Sequence, residues 1–228
     1  MPSQDRVHVL ITAGPTREWL DPVRFLSNPS SGKMGYALAQ AAREAGAIVT
    51  LVSGPVALAA PRGVALVRVE TAAEMAREVF RRAKRADIII LSAAVADWTP
   101  GNRARQKMKK EAGGKRKTKL VLTLKPTVDI AATLGKSLRP GQVLAGFAAE
   151  TQRVQTNARE KMERKNFDMI VANDVSRPGT GFGSDRNEII LIGRDGAVER
   201  PRRASKLVLA RRIVKRVCVA RARKLEQS

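Results

Sequence analysis

The sequence predicts an α/β chain of the Rossmann-like, three-layer α/β/α type, with a mostly parallel sheet, a basic flap and a late β-hairpin. Three observations carry that expectation. Short apolar runs alternate with longer amphipathic stretches along most of the chain, which is the pattern of strands joined by crossover helices. Several apolar runs end in loops rich in glycine, proline and serine, where a strand hands over to a turn. The chain has 228 residues, 43% of them hydrophobic and 28% charged. That is enough for a substantial core and unlike a disordered or collagenous composition.

Taken in order, Val7-His8-Val9-Leu10-Ile11 reads as a buried first strand ending at Thr12-Ala13-Gly14-Pro15. Lys33 to Ala45 is an Ala-rich helix closed by Gly46, and Ile48 to Val52 is a second strand ending at Ser53-Gly54-Pro55. Val64 to Val69 gives a third strand, Ala72 to Lys84 a helix, and Asp87 to Leu91 a fourth strand that runs into Ser92-Ala93-Ala94-Val95-Ala96-Asp97. Lys119 to Leu124 reads as an exposed strand, Val128 to Gly135 as a short helix and Val143 to Phe147 as another buried strand. Thr151 to Lys165 follows as a helix and Phe167 to Ala172 as a further strand. Glu188 to Ile192 with Gly193 to Val198 suggests the hairpin, and a basic helix or tail occupies about 203–228. With no internal repeat or long linker, the expectation is one domain over 1–228. The extended insertion at about 101–118, the flap, is long enough to imply a use.

The net charge is +22, which makes nucleic acid the first partner to weigh. Its distribution weakens that idea: Arg103 to Lys119 carries a net +8 and Glu199 to Ser228 a net +9, leaving the rest only mildly basic. Aromatic residues make up only 4%, which leaves little for stacking bases. No apolar run approaches the roughly 18–20 residues of a membrane span. The opening Met1 to Arg6 is polar rather than secretory, so the expected location is cytoplasmic with no membrane partner. The single cysteine, Cys218, excludes an intrachain disulfide and a cysteine metal cluster; it reads as a small apolar filler in a helix. His8, the one histidine, falls inside the first strand and reads as structural.

In an open parallel sheet, ligands gather beyond the carboxyl ends of the strands. The loop after the first strand lacks G-x-G-x-x-G, since Gly14 is followed by Pro15-Thr16-Arg17, which disfavours a nicotinamide fold. Ser31-Gly32-Lys33-Met34 is not a Walker loop either: Ser27 stands where its first glycine belongs, and Met34 where a magnesium-binding hydroxyl belongs. What remains is Asn28-Pro29-Ser30-Ser31-Gly32 opening onto a helix, with amides and hydroxyls suited to an anion.

The run Ile11-Thr12-Ala13-Gly14-Pro15-Thr16-Arg17-Glu18, then Asp21 through Gly35, closely resembles the opening of the phosphopantothenate–cysteine ligase family. Similar blocks follow in family order at Ser92 to Asp97, Lys107-Met108-Lys109-Lys110, Gly146 to Thr151, Lys161 to Asn166, Ala172 to Val175 and Gly181 to Asp185. Together they cover about 7–195. The resemblance implies ligation of 4′-phosphopantothenate with L-cysteine in coenzyme A synthesis. It implies CTP as co-substrate, an acyl-cytidylate intermediate, and CMP and pyrophosphate as products.

The resemblance makes Asn28 and Lys107 catalytic: Asn28 handles the intermediate, and Lys107 in the flap neutralises the triphosphate. It places Ser92, Ala93, Ala94, Asp97, Lys107, Lys125, Phe147, Lys161 and Lys165 at the nucleotide, and Ser30, Ser31, Gly32 and Lys33 at substrate phosphate. Lys161 and Lys165, four apart on a helix, share a face. Family members often carry a proline before the Asp129-Ile130 pair, where this chain has Val128. Magnesium is expected on the triphosphate, with no protein metal site, and FMN is not expected. A homodimer is expected, freestanding or excised from the decarboxylase domain to which many bacterial members are fused, with a separate phosphopantothenoylcysteine decarboxylase as a further partner. The basic tail is expected to touch nucleic acid only nonspecifically. The alternatives are a basic nucleic-acid-binding protein and an NAD(P)-dependent reductase.

Overall fold

The structure is a computed structural model in which residues 6–109, 111–112, 115–116, 119–174 and 183–227 are described. Its centre is an eight-stranded sheet. Six parallel strands run β5 (Ala65–Arg68), β4 (Ile48–Ser53), β1 (His8–Ala13), β6 (Ile88–Leu91), β11 (Val143–Glu150) and β12 (Met169–Asp174), and β14 (Ile189–Gly193) and β15 (Val198–Glu199) add antiparallel at the β12 edge. The parallel part has the dinucleotide-fold order, with its reversal between β1 and β6. The expected Rossmann-like sheet and late hairpin are borne out.

Period-two alternation explains why both faces are covered. On β1, Val9, Ile11 and Ala13 point to one layer and Leu10 to the other; on β6, Ile88 and Ile90 oppose Ile89 in the same way. The first layer is α1 (Lys33–Glu44) and α5 (Lys206–Glu226), and the second is α2 (Ala72–Ala83), α3 (Ile130–Gly135) and α4 (Val154–Arg164). The N-terminus of α2 is secured twice. Thr71 and Glu74 form a capping box, and buried Glu18, from β2 (Arg17–Trp19), accepts from the Ala72 amide at 2.8 Å.

Several sequence expectations shift. The exposed strand expected at Lys119 to Leu124 is instead β10 (Leu124–Pro126), because only there does the chain meet a partner, β7 (Trp98–Pro100). Upstream, Val121 is 87% exposed. The flap is an antiparallel arm, with β8 (Glu111–Ala112) and β9 (Lys115–Arg116) paired beyond β7 and β10. Two further short pairs, β2 with β3 (Phe25–Ser27) and β13 (Arg186–Asn187) with β16 (Ala204–Ser205), complete the elements. Helix α4 starts at Val154 rather than Thr151, after Arg153 in a left-handed conformation at φ 47°.

The basic helix expected at the C-terminus is α5, and it forms a layer of the fold. Ser205 caps α5, and Leu209, Ala210, Ile213, Val214 and Val217 are buried against α1 and the sheet. The opposite face is tied to body carboxylates: Arg211 to Glu44, Arg212 and Arg216 to Glu199, Arg221 to Asp87, Arg223 to Asp195 and Lys224 to Asp168. These contacts engage six of the eleven basic residues between Glu199 and Ser228. Cys218, expected as a filler, is exposed on α5. Ile213 is fully buried, so Ile213→Ala should cost about 2–5 kcal/mol of stability by urea unfolding. A dispensable tail would give no measurable change.

Candidate functional site

The carboxyl ends of β1, β6, β11 and β12 open into a cleft of about 1020 Å³ at the point where strand order reverses. Hydroxyl hydrogen bonds hold the two loops that meet there. Thr12 Oγ1 accepts from the Ala93 amide at 3.1 Å, and Thr16 Oγ1 accepts from the Ala96 amide at 3.0 Å. Ser92 Oγ donates to the Thr12 carbonyl at 2.7 Å, and the Ala94 amide donates to Gly14 O at 2.9 Å. Thr12 and Thr16 are both buried. The Ala93 and Ala94 amides are therefore already used by protein, so any base read along this loop meets those amides occupied.

Asn28 stands at the same junction. Its Nδ2 donates to the Ala94 and Val95 carbonyls at 3.2 and 3.1 Å. Both donors are consumed, and Oδ1 has no hydrogen-bond partner among the described residues. After Asn28 the chain enters α1 through Gly32, at φ 74° and with no side-chain cap. The first-turn amides are thus left for solvent or an anion. Gly35 lets this turn approach β1 closely: a Cβ there would sit 2.5 Å from that of Ala13. Ser30, Ser31, Gly32 and Lys33 all line the cleft. Lys33 is engaged, donating to Asp185 Oδ1 at 2.6 Å and to Gly183 O at 3.0 Å.

The opposite end is built by α4 and the segment after β10. Lys161, Arg164 and Lys165 line it with Asp97, Phe147, Glu150 and Asp129. Lys161 Nζ donates to the Phe147 carbonyl at 2.9 Å, and Lys165 is bound to Asp129. Burial pushes the Lys161 ammonium below the ordinary lysine range; Glu150 and Asp97 oppose that, while Lys165 and Arg164 push further down. Thr127 anchors the intervening segment, donating from Oγ1 to Ala96 O at 2.7 Å and from its amide to Asp97 O at 2.9 Å.

Of the residues singled out from the sequence, Asn28, Ser30, Ser31, Gly32, Lys33, Ser92, Ala93, Ala94, Asp97, Phe147, Lys161 and Lys165 are brought together here. Lys107 and Lys125 are not. Lys125 lies on β10 beside Pro126, which does line the cleft, and successive strand residues face opposite ways. Lys107 is held outside because its neighbour is clamped: the Met108 amide donates to Asp21 Oδ2 at 3.1 Å, and Arg24 Nη2 donates to the Met108 carbonyl. Burial opposes ionisation of Asp21, but hydrogen bonds from Val23, Arg24 and Met108 outweigh it and hold the carboxyl well below the usual carboxylate range. Lys110, Val175, Gly181 and Phe182 of the sequence motifs lie outside the described residues.

Sequence reasoning missed Thr12, Thr16, Thr127, Arg164, Asn173, Asn187 and Lys206. Asn173 lines the cleft with a buried Oδ1 that has no hydrogen-bond partner among the described residues. Its Ala172-Asn173-Asp174-Val175 block was the available signal. Nothing local marked Lys206, which reaches the cleft only because α5 packs beside α1.

Residues 5–220 match the model of the DNA/pantothenate metabolism flavoprotein C-terminal domain, so the likeness extends into α5, beyond the span of the sequence motifs. The chain is 52% identical over 190 residues to the coenzyme A biosynthesis bifunctional protein CoaBC of Bacillus subtilis (strain 168), covering 83% of this chain and 45% of that protein. It is 47% identical over 216 residues to CoaBC of Vibrio vulnificus (strain CMCP6), covering 95% of this chain and 53% of that protein. The chain thus spans about half the length of these curated relatives. Among solved structures, the C-terminal domain of a CoaBC superposes with a TM-score of 0.78 at 42% identity, covering 92% of this chain and 93% of that one. With a family model matched over nearly its whole length, the chain belongs to the family of the DNA/pantothenate metabolism flavoprotein C-terminal domain, which bears out the resemblance carried by its motifs.

Proposed function

We propose that the chain is a phosphopantothenate–cysteine ligase unit, joining 4′-phosphopantothenate to L-cysteine at the expense of CTP in cytoplasmic coenzyme A synthesis. The observation that carries this reading is one cleft with anion-holding groups at both ends and Asn28 pinned in its wall. Relatives named as coenzyme A biosynthesis proteins support it.

The chemistry explains why two anion sites are needed. A free carboxylate would have to expel oxide, so it must first acquire a better leaving group. Its oxygen attacks the α-phosphorus of CTP, the bond to the bridging β-phosphate oxygen breaks, and pyrophosphate leaves. The cysteine amine then attacks the acyl carbon, its surplus proton passes to water or phosphate, and CMP departs with the former carboxylate oxygen. Lys161, Arg164 and Lys165 gather positive charge where the triphosphate must be neutralised. The uncapped start of α1 with Ser30, Ser31 and Lys33 suits substrate phosphate.

Asn28 is assigned an acceptor's role in handling the intermediate. With both amide hydrogens committed to Ala94 and Val95, it offers Oδ1, an acceptor suited to orienting the incoming amine. Lys107 would meet the triphosphate only from the flap, outside the wall formed by the other residues. Among the described residues no three His, Cys, Asp or Glu side chains converge. Magnesium is proposed to enter on the triphosphate. A homodimer is proposed on the exposed apolar side chains of the arm, where Trp98 is 54% and Leu120 56% exposed.

With phosphopantothenate present, a panel of nucleoside triphosphates should release pyrophosphate with CTP foremost, and amide should form only when cysteine is added. Amide formation with no nucleotide requirement, or none with any triphosphate, overturns the reading. Asn28→Ala should still release pyrophosphate but accumulate acyl-cytidylate, with amide formation slowed about 100-fold or more in rapid-quench assays. Because the depressed Lys161 is a cation only below its folded pKa, nucleotide affinity should fall as pH rises while ordinary lysines are still charged. Lys161→Arg should remove that alkaline limb in calorimetric titrations.

A further inference from the structure

The two carboxylate oxygens of Asp21, which is fully buried in the turn between β2 and β3, bond in different directions. Oδ1 closes the turn, accepting from the Val23 and Arg24 amides at 2.8 and 2.9 Å, as an uncharged asparagine would. Oδ2 reaches outside it, accepting from Arg24 Nε at 3.0 Å, Arg24 Nη2 at 2.6 Å and the Met108 amide at 3.1 Å. Arg24 Nη2 also donates to the Met108 carbonyl. One ion pair therefore holds both backbone polar groups of a single flap residue. The turn alone needs no charge, and burying a carboxylate is unfavourable unless donors match its oxygens, so the charge at Asp21 is explained by the flap. A second tie fixes the same segment upstream: the Ala104 amide donates to Leu20 O at 2.9 Å, and the Arg103 guanidinium lies 5.5 Å from the centre of the Trp19 ring. Lys107 stands between the two ties, exposed, and adjoins the clamped residue.

We propose that Asp21 is the positioning residue for Lys107: with Arg24 it fixes the flap backbone at Met108, so that Lys107 meets the triphosphate from a stiff base. This rests on the ligase reading above. Asp21 touches no reacting atom, and its effect is confined to the step that Lys107 serves, the attack on the α-phosphorus. Because the flap backbone is ordered before nucleotide arrives, the ordering entropy does not fall on the transition state. The hairpin that carries both ties runs on through Ser27 into Asn28, so the two residues assigned to catalysis hang on one element.

Asp21→Asn separates the two oxygens, since its one carbonyl oxygen can close the turn while its amide group turns a donor toward Met108 and the guanidinium. Wild type, Asp21→Asn, Lys107→Gln and the double variant are compared by single-turnover pyrophosphate release from CTP with 4′-phosphopantothenate, and by amide hydrogen exchange over 103–109. Asp21→Asn should slow pyrophosphate release about 10- to 100-fold. The double variant should be no slower than Lys107→Gln alone, because Asp21 acts only through that lysine. Exchange over 103–109 should be protected in wild type and at least about 10-fold faster in Asp21→Asn. Should Asp21→Asn not fold, Arg24→Lys reads the same clamp: it keeps a cation against Asp21 without the fork that also reaches the Met108 carbonyl, and should give a smaller loss that again vanishes in the Lys107→Gln background. Additive slowing in the double variant overturns the assignment, as do unchanged release and faster release in Asp21→Asn. Exchange needs no turnover, so protection that is lost in Asp21→Asn, in a protein whose wild type never couples the acid with cysteine, sinks only the ligase reading. Protection that Asp21→Asn leaves unchanged overturns the role of Asp21.

Discussion

The structure depends on the seam between the loops that follow β1 and β6. At that point neighbouring crossovers go to opposite faces of the sheet, so a gap opens that side chains do not fill. Two buried threonines close its floor by accepting from Ala93 and Ala96, and Asn28 clamps the rim by donating to the next two carbonyls. An apolar residue at Thr12 or Thr16 would leave a buried amide without a partner, at a cost of about 1–3 kcal/mol each. The polar seam is therefore structural first, and in the proposed reaction it would also set where a reacting group is held.

The charge distribution follows from the same frame. At α4, three basic side chains crowd one end of the cleft with Asp97, Glu150 and Asp129 interleaved, which keeps the cations in place before a polyanion arrives. At the far end of the sheet, Asp87 and Asp168 stand just before β6 and β12, each accepting from a strand amide and pairing with a cation of α5. These ion pairs are partly buried. Their consequence is that a helix carrying much of the net charge lies against the body, with its apolar face completing the α1 layer.

Most of the sheet was legible in the sequence because its strands are buried on both faces and read as continuous apolar runs bounded by turns. Lys119 to Leu124 misled because β-branched and apolar residues there have a strand's composition but no pairing partner until Leu124 meets Pro100. Asn28 and the Ser30 to Lys33 turn were readable because a motif and a helix start coincide there. Lys107 was readable as a motif but not as a position, since the Asp21–Arg24–Met108 clamp that holds its neighbour spans 87 residues of sequence. Lys206 was invisible for the same reason: its place in the cleft is set by packing between α1 and α5, and the sequence around it reads only as the start of a basic helix.

The proposed reaction requires that the carboxylate oxygen of the acid become bonded to the α-phosphorus before the amide forms. Coupling carried out with carboxyl-¹⁸O-labelled 4′-phosphopantothenate, followed by mass analysis of the phosphorus products, tests it directly. The account predicts one labelled oxygen in the nucleoside monophosphate. Label appearing in orthophosphate or pyrophosphate, or in no phosphorus product, contradicts it.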